Sequence, residues 1–190
     1  MRNDDSDIKI FGAQEQKPDY SDDFAIVEEL TRQRTNGNTA KAKQLGAFLA
    51  NEILGRRCEA TVDFPGAPQG IDCTGEIMLQ MQVLMVFSAE FCLERYLPVS
   101  VLCATAVNKF YDELYRNAPD FHETVSSGTA FTFYYLDIRQ TGDIAAHVGK
   151  SFAMLCGDED DEKLGLLGKE LFLRYNNMVK GVIDGYDFVK

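Results

Sequence analysis

The stretch FTFYYLDI, Phe131–Ile138, decides the fold class. Read as a strand, its alternating Phe131, Phe133 and Tyr135 face one side of a sheet. The Gly149-Lys150-Ser151 that ends the following GDIAAHVGKS (Gly142–Ser151) then looks like the close of a phosphate-binding loop. Read as a helix, Ala130, Tyr134 and Ile138 share one face. The helix is preferred because no second convincing strand exists to pair with it, and a lone strand leaves backbone groups without partners. Spacing also excludes the phosphate loop. The pattern G-x-x-x-x-G-K-[ST] needs glycine at position 144, where Ile144 stands, and Gly142 comes two residues early. Gly149, Lys150 and Ser151 fall instead within a helical run, capped by Asp143, that carries Ile144, Val148, Phe152 and Leu155. Gly149 is therefore expected at a helix–helix contact, with Lys150 on the surface.

Toward the C-terminus, the acidic turn GDEDDE precedes the clearest helix, with Leu164, Leu167, Leu171, Tyr175, Met178 and Val182 spaced 3, 4, 4, 3 and 4 apart. Asp158–Lys169 begins like a calcium loop, but Lys163 replaces the required glycine and Lys169 the closing glutamate, so an acidic helix start is expected. Toward the N-terminus, TGEIMLQMQVLMVFSAEFCLERYL (Thr74–Leu97) is apolar over most of its circumference, as a central core helix is. Gln80, Gln82, Glu90 and Glu94 make it too polar for a membrane span. Pro98 opens the next helix, through Asn117, and the two are expected to form a central apolar hairpin. A short helix spans Phe121–Val125. Earlier helices carry Phe24, Val27 and Leu30, then Leu45, Phe48, Leu49 and Ile53, separated by Asn36-Gly37-Asn38. Residues 60–73 are a proline- and glycine-containing loop, and residues 1–20 an acidic, poorly ordered arm. The expected fold is all-α, an irregular bundle of seven or eight helices in one domain spanning 21–190. The turns Gly37–Ala40 and Gly142–Ala145 resemble each other, but no period near 34 residues is sustained, so no repeat array is expected.

The net charge of −11 argues against nucleic acid or anionic membrane as a partner. The basic cluster Arg32, Arg34, Lys41, Lys43, Arg56 and Arg57 reads as a solvated face. The first dozen residues carry acids and no apolar core, unlike a signal or transit peptide. Five cysteines without a C-x-x-C pair are expected as reduced thiols of a cytoplasmic protein, with Cys92 and Cys103 buried. His122-Glu123 lacks the second histidine of a zinc-protease helix, no Glu-x-x-His pair occurs, and neither a G-x-S-x-G elbow nor a G-x-G-x-x-G loop is present. No metal or cofactor is expected.

Two functions follow. The leading one is a non-enzymatic bundle working through protein contacts, above all its own dimerisation. Val83 and Phe87 suggest where: they lie in the one polar stripe of Thr74–Leu97, between Glu76 and Gln80 on one side and Glu90 and Glu94 on the other. A second copy, another element of the same chain such as Leu164–Val182, or a ligand would have to cover them. The alternative is a small-molecule binder or enzyme with an inter-helical pocket lined by Glu90, Glu94, His122, Tyr134 and His147, with Tyr135 and Asp137 nearby. A cavity lined by two or more of those five residues favours the alternative; an apolar patch favours protein contacts.

Overall fold

The computed structural model describes residues 21–56, 68–71 and 75–189. Among them are eight α-helices and no strand: α1 (Ser21–Thr35), α2 (Asn38–Arg56), α3 (Gly75–Tyr96), α4 (Ser100–Asn117), α5 (Pro119–Ser127), α6 (Ala130–Asp137), α7 (Ile144–Leu155) and α8 (Glu162–Gly185). The fold is all-α, an irregular helical bundle around one core. The expected arm, residues 1–20, lies outside the described residues, as do Cys58, Cys73 and most of the 60–73 loop.

The deciding stretch is helix α6. Eight residues make a marginal helix in water, and no side chain caps it, so packing must hold it. Tyr134 is fully buried, and its ring lies 5.1 Å from that of Phe87. The next two helices are capped from the sequence. Asp143 accepts from the Ala146 N–H at 3.1 Å, and Asp161 from the Lys163 and Leu164 N–H groups at 2.8 and 3.1 Å. The acidic turn is thus a helix start.

Two helix pairs approach closely because glycine allows it. A Cβ on Gly46 of α2 would stand 2.2 Å from the Ala106 carbonyl oxygen of α4. One on Gly149 of α7 would stand 2.3 Å from the Gly165 carbonyl oxygen of α8. Gly149 sits at a helix–helix contact, and Lys150 reaches outward to Glu159 at 3.1 Å. α3 joins the two pairs, packing on α8 through Phe91 and Phe172 and through Cys92, whose thiol donates to Asn176 Oδ1 at 3.3 Å. Consecutive α3 and α4 are both core helices, but each makes its longest contact elsewhere, α4 along α2 and α3 along α8. Gly46 and Ala106 let α2 and α4 close up, whereas α3 presents bulkier side chains.

α3 is long and apolar enough by length and composition to cross a membrane. Its apolar side chains are instead consumed inside the chain: Val83 to Ala89, Cys92 and Leu93 are all buried. That burial overturns the expectation that Val83 and Phe87 form a docking face. Val83 is 5% exposed and Phe87 0%. Another element of the same chain covers Phe87: α6 sets Phe131, Tyr134 and Tyr135 around its ring at centroid distances of 5.5, 5.1 and 5.2 Å.

Candidate functional site

α6 divides the candidate polar residues into two clusters. On one side, Glu90 of α3 accepts two phenol protons: Tyr135 of α6 donates to Oε1 at 2.8 Å, and Tyr111 of α4 donates to Oε2. Burial pushes both phenols well above the ordinary tyrosine range, and the Glu90 carboxylate adds to the effect. Both therefore remain donors. Glu94, one turn further along α3, is exposed, and its carboxyl is raised by partial burial and then by Glu90. Cys103, expected to be buried, is half-buried beside this cluster; burial, Glu94 and Glu90 all raise its thiol, which leaves it protonated. His122 joins through Tyr111, its ring edge-on at 6.1 Å, and contacts Tyr115 at 5.4 Å.

Each Glu90 oxygen thus accepts one charge-assisted hydrogen bond. The Tyr111–Glu90–Tyr135 bridge ties α3, α4 and α6 together.

The second cluster holds the other two predicted residues. The Tyr134 hydroxyl is buried with no hydrogen-bond partner among the described residues, and neither has Asp137 Oδ2. Burial raises Tyr134, followed by the influence of Cys156 and Asp137. Asp137 is raised by burial against the opposing Ser151 hydroxyl and His147. His147 contacts the Thr141 carbonyl oxygen at 3.4 Å. It does not pair with Asp143, which caps α7 and binds Lys169 at 2.7 Å.

Of the five predicted residues, Glu90, Glu94 and His122 gather around Tyr111 and Tyr135, and Tyr134 and His147 around Asp137. A groove of about 410 Å³ beside Tyr115 and Pro119 includes His122 alone of the five. Another, of about 330 Å³, runs between α7 and α8 past Lys150 and Lys169 and includes none. Its two lysines are paired with Glu159 and Asp143. No group of three or more His, Cys, Asp or Glu side chains is arranged for a metal among the described residues. Tyr111, Cys103 and Ser151 were not legible as site neighbours. Each belongs to an ordinary helix stripe, and only the helix crossings bring it to its cluster.

Among the described residues, α1 carries a run of exposed large apolar side chains. Residues Phe24 to Glu28 are all exposed. Phe24 is 75% exposed, Val27 59%, Ile26 50% and Leu30 43%. Only Gln33, near the far end of this helix, is buried. The three-residue steps from Phe24 to Val27 to Leu30 make one ridge, with Ile26 at its margin. Compared with protein-family models, with curated proteins and with solved structures, the chain matches none.

Proposed function

We propose that this chain is a non-enzymatic interaction module that docks to protein through the apolar ridge of α1. The observation that carries this reading is the exposure of Phe24, Val27 and Leu30 along one ridge of α1. A large apolar side chain left in water forgoes roughly 1.5–3 kcal/mol of burial. Three along one ridge are a standing drive toward association. The polar clusters supply no comparable drive. The first is tied up in hydrogen bonds between Glu90, Tyr111 and Tyr135.

A photo-crosslinking side chain at position 27 tests the reading in the full chain, in the cells that produce it. The same probe at Arg139, exposed beyond α6, serves as control. The expected result is a discrete protein adduct from position 27 only, abolished by Phe24→Asp with Leu30→Asp while the thermal melt is unchanged. No adduct at 27, equal adducts at 139, or adducts indifferent to the double substitution would refute it.

A further inference from the structure

We infer that Asn36, in the turn between α1 and α2, is a site of spontaneous covalent modification. The Gly37 nitrogen closes on the Asn36 side chain, and the residue passes through a cyclic imide to aspartate and isoaspartate. Of the asparagines in the chain, Asn36 alone is followed by glycine. The fold itself asks for that glycine, because Gly37 holds φ of +82°, which L side chains rarely adopt. With no side chain at 37 the attacking nitrogen is unshielded, and a Cβ there would meet nothing within 4 Å, so the turn has open space around it.

The hydrogen bonds of the turn set up the reaction. The Asn38 N–H, first of α2, donates to Asn36 Oδ1 at 3.1 Å. The loop of atoms closed by this bond includes both Asn36 Cγ and Gly37 N, the pair that must join, and it keeps the side-chain carbonyl folded back on the turn. The same N–H stands where negative charge gathers on Oδ1 as the nitrogen adds. It lies at the positive end of α2, whose first turn holds no acid. Asn36 Nδ2, the leaving nitrogen, donates to Gln33 Oε1 at 3.4 Å, and the Gly37 N–H to the Arg34 carbonyl oxygen at 3.3 Å. Both bonds are long, so little is lost when the imide ring forms.

Water is the only co-reactant. Gly37 N loses its proton to solvent and bonds to Asn36 Cγ. The Cγ–Nδ2 bond breaks, and Nδ2 leaves as ammonia after taking a proton from solvent. Water then opens the imide at either carbonyl. Cleavage between the nitrogen and Cγ yields aspartate; cleavage between the nitrogen and the main-chain carbon yields isoaspartate. Isoaspartate adds one carbon to the main chain beside Asn38, whose side chain ties Gln33 of α1 to Val189. The hold on α1 should loosen as a result.

The full chain, folded at neutral pH or unfolded in guanidinium chloride, is aged for weeks and the tryptic peptide 35–41 is followed by mass spectrometry. The folded chain should accumulate a form of this peptide about one mass unit heavier, part of it a substrate for an isoaspartate methyltransferase. Its rate should lie within a few-fold of the unfolded chain's. Hydrogen exchange at α1 should be faster in the aged chain than in the fresh one. Asn36→Ser keeps an oxygen acceptor for the Asn38 N–H and should abolish the mass gain.

A folded chain that stays unconverted overturns the inference, whether or not the unfolded chain reacts. So does a mass gain that persists in Asn36→Ser, which places the reaction at Asn38, or a product that is entirely aspartate. Exchange at α1 that is unchanged in the isoaspartate form overturns the loosening of that helix.

Discussion

Asn38, the first residue of α2, and Val189, beyond the end of α8, exchange two hydrogen bonds across 151 residues. The Val189 N–H donates to Asn38 Oδ1 at 3.0 Å, and Asn38 Nδ2 donates to the Val189 carbonyl oxygen at 2.7 Å. The side-chain amide thus behaves as a piece of backbone. The same nitrogen donates to Gln33 Oε1 at 2.6 Å, and Lys41 Nζ donates to the Asp187 carbonyl oxygen at 2.7 Å. Asp187 adopts φ of +48°, the left-handed conformation that aspartate tolerates better than most residues. Through Gln33 this clasp ties the C-terminal end of α1 to α2 and to the end of the chain.

Replacing Asn38 with Ala removes this clasp and leaves partly buried backbone groups of Val189 unpaired. The expected cost is about 1–3 kcal/mol. Hydrogen exchange should rise at α1 and at residues 186–189 more than in α3 or α8. A melt and exchange pattern unchanged from wild type contradicts the anchoring role.

Two glycines in the C-terminal half should respond in opposite directions. Gly149→Ala places a methyl 2.3 Å from a backbone oxygen of α8, which cannot move without separating the helices, and should cost about 1–3 kcal/mol. Gly181→Ala, in α8 with nothing within 4 Å of the new methyl, should gain about 0.5–1 kcal/mol from helix propensity. Urea unfolding of the two variants checks the pair.

Neighbouring tyrosines of α6 should also diverge. Tyr135→Phe deletes a donor to the Glu90 carboxylate and should cost about 1–2 kcal/mol. Tyr134→Phe removes a buried hydroxyl with no hydrogen-bond partner and should be neutral or stabilising. A larger loss from Tyr134→Phe than from Tyr135→Phe in thermal melts would reverse the assignment of the two clusters.

Alkaline pH should destabilise the fold. Burial pushes the Cys92 and Cys156 thiols up to about 12 and raises the Tyr111, Tyr134 and Tyr135 phenols. Above the ordinary values of 9.0 and 10.0 the unfolded chain releases protons that the folded chain still holds. Stability from these groups is fully present below about pH 8.5 and is lost as the pH rises beyond it. The urea midpoint should fall between about pH 8.5 and pH 10.5, and Cys92 should resist thiol reagents until unfolding. A midpoint that is flat or rising over that window contradicts the burial of these groups.

Helix periodicity in Leu164–Val182, the caps at Asp143 and Asp161, and the misplaced glycine of the apparent phosphate loop are local properties, so the sequence alone determined the all-α class. The tertiary structure decided what each helix face meets. Val83 and Phe87 looked exposed because they share a stripe with Glu76, Gln80, Glu90 and Glu94, and α3 by itself does not reveal that α6 lies on it. The Glu90–Tyr111–Tyr135 bridge joins three helices across separations of 21 and 45 residues, which no helical spacing encodes. Conversely, the sequence placed Phe24, Val27 and Leu30 on a helix, and only the bundle shows that their face is exposed. Spacing along a helix specifies which residues share a face; whether that face meets protein or water depends on how the other helices cross it.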